Sequence, residues 1–181
     1  IFSKGRTEIR GEIVMYKKDF EKLNLQLQNS GEKTYANPRN LAAGTIRQLD
    51  PRIVAERKLY FRAFDVIRDN KAEIPTQEFA YKTLRKLGFL VDDASQLLPD
   101  TKAIIKYTET WKEKRHTLPY NTDGLVIKIN DRFLYERLGV VGKNPRAAIA
   151  FKYPAETATT KLLDIFISIG RTGAATPVAV L

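Results

Sequence analysis

The apolar residues of this 181-residue chain change period along its length, and that change bounds the fold more tightly than any single residue does. From Thr7 to Met15, Glu8, Arg10, Glu12 and Val14 alternate with Ile9, Gly11, Ile13 and Met15, the period of a half-buried strand. From Lys18 to Asn29 the spacing turns helical, with Phe20, Leu23 and Leu27 on one stripe and Gly31 as the stop. Asn37-Pro38 and Asp50-Pro51 each place a capping side chain before a proline, the start of a helix. Leu59 to Ile67 is aromatic and β-branched and predicts a strand. Helices are expected over Pro75 to Leu87 and Thr101 to Arg115, then strands over Leu125 to Asn130 and Ala147 to Tyr153 around a turn at Gly139 to Pro145. After Pro154 the pattern is purely β: Lys161 to Ile169, a turn at Gly170 to Gly173, and Pro177 to Leu181. The fold class is α+β with mainly antiparallel sheets. The first residues, Ile1 to Gly5, carry no Met and no leader pattern, and the last run stops in mid-strand, so a piece of a longer protein is expected.

Composition removes several functions. No apolar run approaches the ~20 residues that span a bilayer, so no membrane partner is expected. There is no cysteine and one histidine, His116, which leaves no thiolate metal site and argues against a Ser-His triad; no metal-ligating residue is assigned. Lys and Arg number 31 against 21 Asp and Glu, a formal net charge of +10, which favours a polyanionic partner over mere solubility.

Three segments carry candidate chemistry. In Asp123-Gly124-Leu125-Val126-Ile127-Lys128-Ile129-Asn130, Lys128 shares a face with Val126 and Asn130, either as part of a solvated face or beside an anion. In Ala147 to Tyr153, Lys152 shares a face with Ala148 and Ala150, small side chains that leave room for a ligand beside a charge. Two such lysines on neighbouring strands suggest a phosphate site, and Glu12 could accept from a ribose or base. The stretch Asn37 to Asp50 is dense in small residues and holds Arg39 and Arg47, eight positions and so about 80° apart on an ideal helix. Ala42, Ala43 and Gly44 would let a partner approach, and the guanidinium forks suit phosphates. Arg115 lies just ahead of the Asp123 strand, with His116 an incidental surface residue. Tyr60, Phe61 and Phe64 are expected in the core.

These segments resemble the adenylation domain of bacterial NAD-dependent DNA ligases, from its middle to the start of the OB-fold. The resemblance rests on IRGEIVM at Ile9 to Met15, NPRNLAAGTIRQLD at Asn37 to Asp50, TDGLVIKIN at Thr122 to Asn130, NPRAAIAFKYPAE at Asn144 to Glu156 and IGRTGAATPVA at Ile169 to Ala179, in the family's order. It implies a nucleotidyltransferase fold of the DNA ligase and capping-enzyme type over 1–155 and the first strands of an OB-fold over 156–181. It implies nick sealing in duplex DNA through lysyl-AMP and DNA-adenylate, with NAD as AMP donor and Mg²⁺ as cofactor. Zn²⁺ would belong only to a downstream module absent from this sequence. Glu12 would bind adenosine, Lys128 the adenylyl phosphate, and Lys152 the charge developing on it. Arg39 and Arg47 would serve the phosphates of the nick, Arg115 and Asp123 would lie near the same site, and Arg171 in the Gly170 to Gly173 turn would meet the duplex. A cytoplasmic, monomeric protein is implied.

The sequence departs from the family in places. The nucleophile's K-x-D-G motif is absent, since Asn121-Thr122 precede the one Asp-Gly pair, Asp123-Gly124, so the chain by itself is expected not to form lysyl-AMP. Ala147 stands where many members have Trp and Phe64 where many have Tyr. An ATP- or GTP-dependent RNA ligase or capping enzyme, and a non-catalytic DNA-binding paralogue, are the competing readings.

Overall fold

The structure, a computed structural model, describes residues 2–154 and 159–181. The expected domain boundary at 155/156 and the end of the Asn144 to Glu156 motif lie outside the described residues. The order is β1 (Thr7–Val14), α1 (Lys17–Asn29), α2 (Pro38–Ile46), α3 (Pro51–Glu56), β2 (Tyr60–Arg68), α4 (Gln77–Lys86), α5 (Thr101–Lys114), β3 (Gly124–Lys128), α6 (Arg132–Leu138), β4 (Val140–Val141), β5 (Asn144–Pro145), β6 (Ala148–Lys152), β7 (Asp164–Ile169) and β8 (Ala175–Val180). The strands form four antiparallel two-stranded ribbons, β1–β2, β3–β6, β4–β5 and β7–β8.

Local chemistry explains the helix starts. Asn37 Oδ1 accepts from the amides of Arg39 and Asn40, and Asp50 Oδ1 from that of Arg52, each with proline at the first helical position. Thr76 caps α4 by accepting from Phe79 N. The turn expected at Gly139 to Pro145 holds the short β4–β5 hairpin, and α6, capped by Asp131, fills the stretch just before it, for which no element was expected. A seven-residue helix is too brief to show a clear apolar stripe against its flanking strands.

Two cores hold these elements. Ala80 and Leu84 of α4, one helical turn apart, pack on Ala63 and Val66 of β2 with Ile74 and Val91. Met15, at the end of β1, packs on Leu41 and Ala42 of α2, with Phe20, Leu23 and Leu59 around them. Ala42 is therefore core, not part of an open surface; only Ala43 and Gly44 of the three small residues face solvent. A salt bridge reinforces the first core: the Arg68 side chain, 1% exposed, donates to Glu73 and to the carbonyls of Ser3, Gly5 and Arg6. The β7–β8 hairpin pairs Asp164 with Val180 through Ile169 with Ala175, and all of β7 is exposed.

Candidate functional site: a cation-lined cleft between two ribbons

The register of β3 on β6 decides where the two lysines lie. Gly124 pairs with Lys152, Val126 with Ala150 and Lys128 with Ala148, so all six share one face of the ribbon. Lys128 and Lys152 stand at its two ends, about 13 Å of strand apart, over a floor of Val126, Ala148 and Ala150. Val126 is 63% exposed, an apolar surface left open between two cations. Gly124 is needed for the pairing: a Cβ there would lie 2.1 Å from the carbonyl oxygen of Phe151 and 2.8 Å from Lys152 Cα. The family-like Asp-Gly pair thus lets the Lys152 strand close on β3.

The β1–β2 ribbon meets this face beside Lys128. Arg10 pairs with Asp65 but Gly11 with Ala63, so Phe64 is the extra residue of a bulge. A bulge re-aims its side chain, and Phe64, expected in the core, is instead 41% exposed with Lys128 Nζ 5.6 Å from its ring centroid. Tyr60 does pack, stacked on Tyr16 at 3.9 Å, whereas Phe61 is partly exposed against the edge of Phe89. No signal in the sequence marks the bulge. Lys128 is half-buried, and that burial pushes its ammonium below the usual lysine range, with Asp65 opposing the shift and Arg132 adding to it.

The ribbons meet again at the other end of β3. Arg39 Nη1 donates to Asp123 Oδ2 at 2.7 Å, and its Nη2 lies 3.8 Å from Glu12 Oε1. Three residues singled out in the sequence, from β1, α2 and the approach to β3, thus form one charged cluster. The Tyr153 amide donates to the Asp123 carbonyl at 2.9 Å, which carries the β3–β6 ladder one residue further. Arg115 lies over the Tyr153 ring at 4.9 Å and its Nε donates to His116 Nε2 at 3.4 Å. The Tyr153 hydroxyl is buried without a hydrogen-bond partner among the described residues.

Arg47 and Arg171 are not drawn into this cluster. Arg47 is the C-cap of α2, one residue past the helix, and is exposed. Arg171 lies in the exposed β7–β8 turn. A further guanidinium flanks α2: Arg57 donates to Thr45 Oγ1 at 2.9 Å and to Tyr35 Oη at 3.1 Å. With Tyr35, Asn40, Gly44 and Gln48 it lines a cavity of about 210 Å³. The sequence gives no sign of Arg57 because Thr45 and Tyr35 meet it only through the fold.

Among the described residues no three His, Cys, Asp or Glu side chains cluster to hold a metal, and none of their helices is long and apolar enough to cross a membrane. The domain is α+β, and this face carries cations at both ends, an apolar floor and an exposed aromatic ring beside Lys128. The chain belongs to the NAD-dependent DNA ligase adenylation domain family, whose profile matches residues 2–156. It is 48% identical over 174 residues to a DNA ligase of Halothermothrix orenii, 47% over 174 to one of Natranaerobius thermophilus and 46% over 176 to one of Herpetosiphon aurantiacus. These alignments cover 96–97% of this chain and 26% of each relative, so the chain spans about a quarter of their length.

Proposed function

We propose that this chain holds AMP within an NAD-dependent DNA ligase that seals nicks in duplex DNA through lysyl-AMP and DNA-adenylate. The observation that carries the reading is the placement of Lys128 and Lys152 on one face, with the exposed Phe64 ring beside Lys128. Adenine stacks between Phe64 and the open Val126 surface, its ribose accepted by Glu12. The adenylyl phosphate then lies against Lys128, whose partial burial strengthens the attraction because little water screens it. Lys152 takes the charge that develops on the phosphate oxygens as the AMP group moves, a fixed cation requiring no reorganisation. Arg39 holds Glu12 and Asp123 in place and, with Arg47 and Arg57, presents guanidinium groups to the phosphates of the nick. Arg115 supports the nucleotide end of β6, and Arg171 meets the duplex backbone.

Residues 1–155 form the central and C-terminal part of a nucleotidyltransferase domain, and 156–181 begin an OB-fold. The nucleophilic lysine comes from outside this sequence, which contains no K-x-D-G motif. The described residues form no cage for Mg²⁺, since Glu12 and Asp123 are engaged by Arg39 and Asp65 by Arg132, and no step above is routed through a metal. Zn²⁺ belongs to a separate module. The ligase acts as a cytoplasmic monomer on the nucleoid.

The test is intact mass of the ligase polypeptide carrying this segment, after incubation with Mg²⁺ and either NAD or ATP. A gain of one AMP with NAD alone is expected. A gain with ATP alone moves the protein to the ATP-dependent ligases, and no gain with either leaves a DNA-binding paralogue.

A further inference from the structure

Asp65 and Arg132 make a contact that ties the bulged wall of the cleft to the end of the strand carrying Lys128. Arg132 Nη1 donates to Asp65 Oδ1 at 2.8 Å and to the carbonyl oxygen of Val66 at 3.1 Å. Both side chains are withdrawn from water, at 20% and 17% exposure, and Val66 is fully buried in the core. Asp65 immediately follows Phe64, and Arg132 opens α6 four residues after Lys128. Arg132 is itself immobilised. Its amide donates to the Pro75 carbonyl at 3.0 Å, and Asn130 accepts from the amides of Gln77 and Glu78 at the start of α4.

We propose that the Asp65–Arg132 ion pair is a strap that sets the width of the nucleotide cleft by holding the bulged Phe64 ring against the Lys128 side chain. The pair is a positioning device, touching neither base nor phosphate. Phe64 has no ladder partner of its own, because the bulge leaves it opposite no residue of β1, so its direction depends on what anchors its neighbours. One neighbour, Ala63, is fixed in the core and by the Leu90 carbonyl, which accepts from its amide at 2.8 Å. The other, Asp65, is held through its backbone by the ladder with Arg10 and through its side chain by Arg132. Severing the strap removes the side-chain anchor beside the bulge, and the ring loses its place over the lysine while both cores stay intact. The carboxylate and the guanidinium act on the lysine in opposite directions, so the two single variants perturb its charge in opposite senses while both sever the strap.

This inference rests on the nucleotide reading, and the experiment separates the two. AMP is titrated into the ligase polypeptide that carries this segment, followed by calorimetry and by amide chemical shifts, for the wild type, Asp65→Asn, Arg132→Met and the double variant, each with and without Lys128→Ala. Each strap variant is expected to weaken AMP binding about tenfold, the double variant no more than the stronger single one. In the Lys128→Ala background the strap variants are expected to cost nothing further, because the contact they position is gone. Equal weakening in both backgrounds would overturn the strap and mark the pair as general scaffolding, as would strap variants that bind like the wild type. A wild type that ignores AMP, or a Lys128→Ala variant that binds equally well, overturns the nucleotide reading and the purpose of the strap with it. A second measurement does not depend on whether Asp65→Asn folds: the nuclear Overhauser effect between the Lys128 ε-methylene and the Phe64 ring. It is expected in the wild type and lost in Arg132→Met, and its absence from the wild type or survival in the variant refutes the strap.

Discussion

Arg39 Nη1 stands 2.7 Å from Asp123 Oδ2, joining residues 84 positions apart, and the same guanidinium reaches Glu12 at 3.8 Å. All three side chains are more than half exposed, so water screens the pairs and they contribute no more than about 1 kcal/mol to folding. Their value lies in orientation. Arg39→Ala is expected to leave the thermal midpoint nearly unchanged while lowering nick sealing by the ligase that carries this segment at least about tenfold. Melting and single-turnover sealing, measured on the same preparation, check this; a fall in stability that accounts for the lost sealing would reassign Arg39 to the scaffold.

The proposed AMP site is expected to be pH-dependent through Lys128. Burial depresses its ammonium below the ordinary lysine range, so the charged form is lost at lower pH than for an exposed lysine. AMP affinity is therefore expected to fall as pH rises through that depressed value, and Lys128→Arg, which stays protonated, is expected to remove the fall. Calorimetric titration with AMP at stepped alkaline pH reads both. An alkaline limb that persists in Lys128→Arg would assign the titration to another group.

Much of this site could be read in the order of residues. Alternation in Leu125 to Asn130 and Ala147 to Tyr153 places Lys128 and Lys152 on one side of their strands, and the antiparallel register keeps them there. The prolines after Asn37 and Asp50 mark α2 and α3 because capping is a local interaction. What was illegible depends on distant partners. Phe64 looks like core in an aromatic run and is turned out by a bulge whose only record is a slipped pairing with β1. Ala42 looks like open surface beside Gly44, yet it is buried because Met15 arrives from another strand. Arg57 and the Asp65–Arg132 pair carry no local signature, since their partners are 12, 22 and 67 residues away.

The Arg68–Glu73 bridge gives the first core an acid limit. Hydrogen bonds from Ser3 and Arg68 hold the Glu73 carboxyl at about 2, against an ordinary value of 4.5. A carboxyl depressed in the folded state stabilises it above the unfolded value, and that stabilisation is lost as pH falls from about 4.5 toward about 2. Glu73→Gln is expected to be less stable than wild type at pH 7, with the difference shrinking through this window. Urea unfolding at stepped pH checks it, and parallel curves for the two proteins would show that Glu73 titrates normally in the fold.

Gly44 and Gly124 are expected to separate duplex binding from folding, because a Cβ collides with backbone at one and meets open space at the other. At Gly124 a methyl group would collide with the backbone of Phe151, so Gly124→Ala is expected to cost about 1–3 kcal/mol or more and to loosen the β3–β6 face on which both lysines stand. At Gly44 a methyl group would meet nothing within 4 Å, and the residue is inside α2, so Gly44→Ala is expected to stabilise the chain by about 0.5–1 kcal/mol. Natural use of glycine at a helix position that alanine would improve points to an approach from outside, on the flank between Arg39 and Arg47. Gly44→Ala is thus expected to raise the melting temperature, leave AMP affinity unchanged and weaken binding to nicked duplex. Melting, AMP titration and fluorescence anisotropy with a nicked duplex distinguish the three; undiminished duplex binding would remove this flank of α2 from the DNA surface.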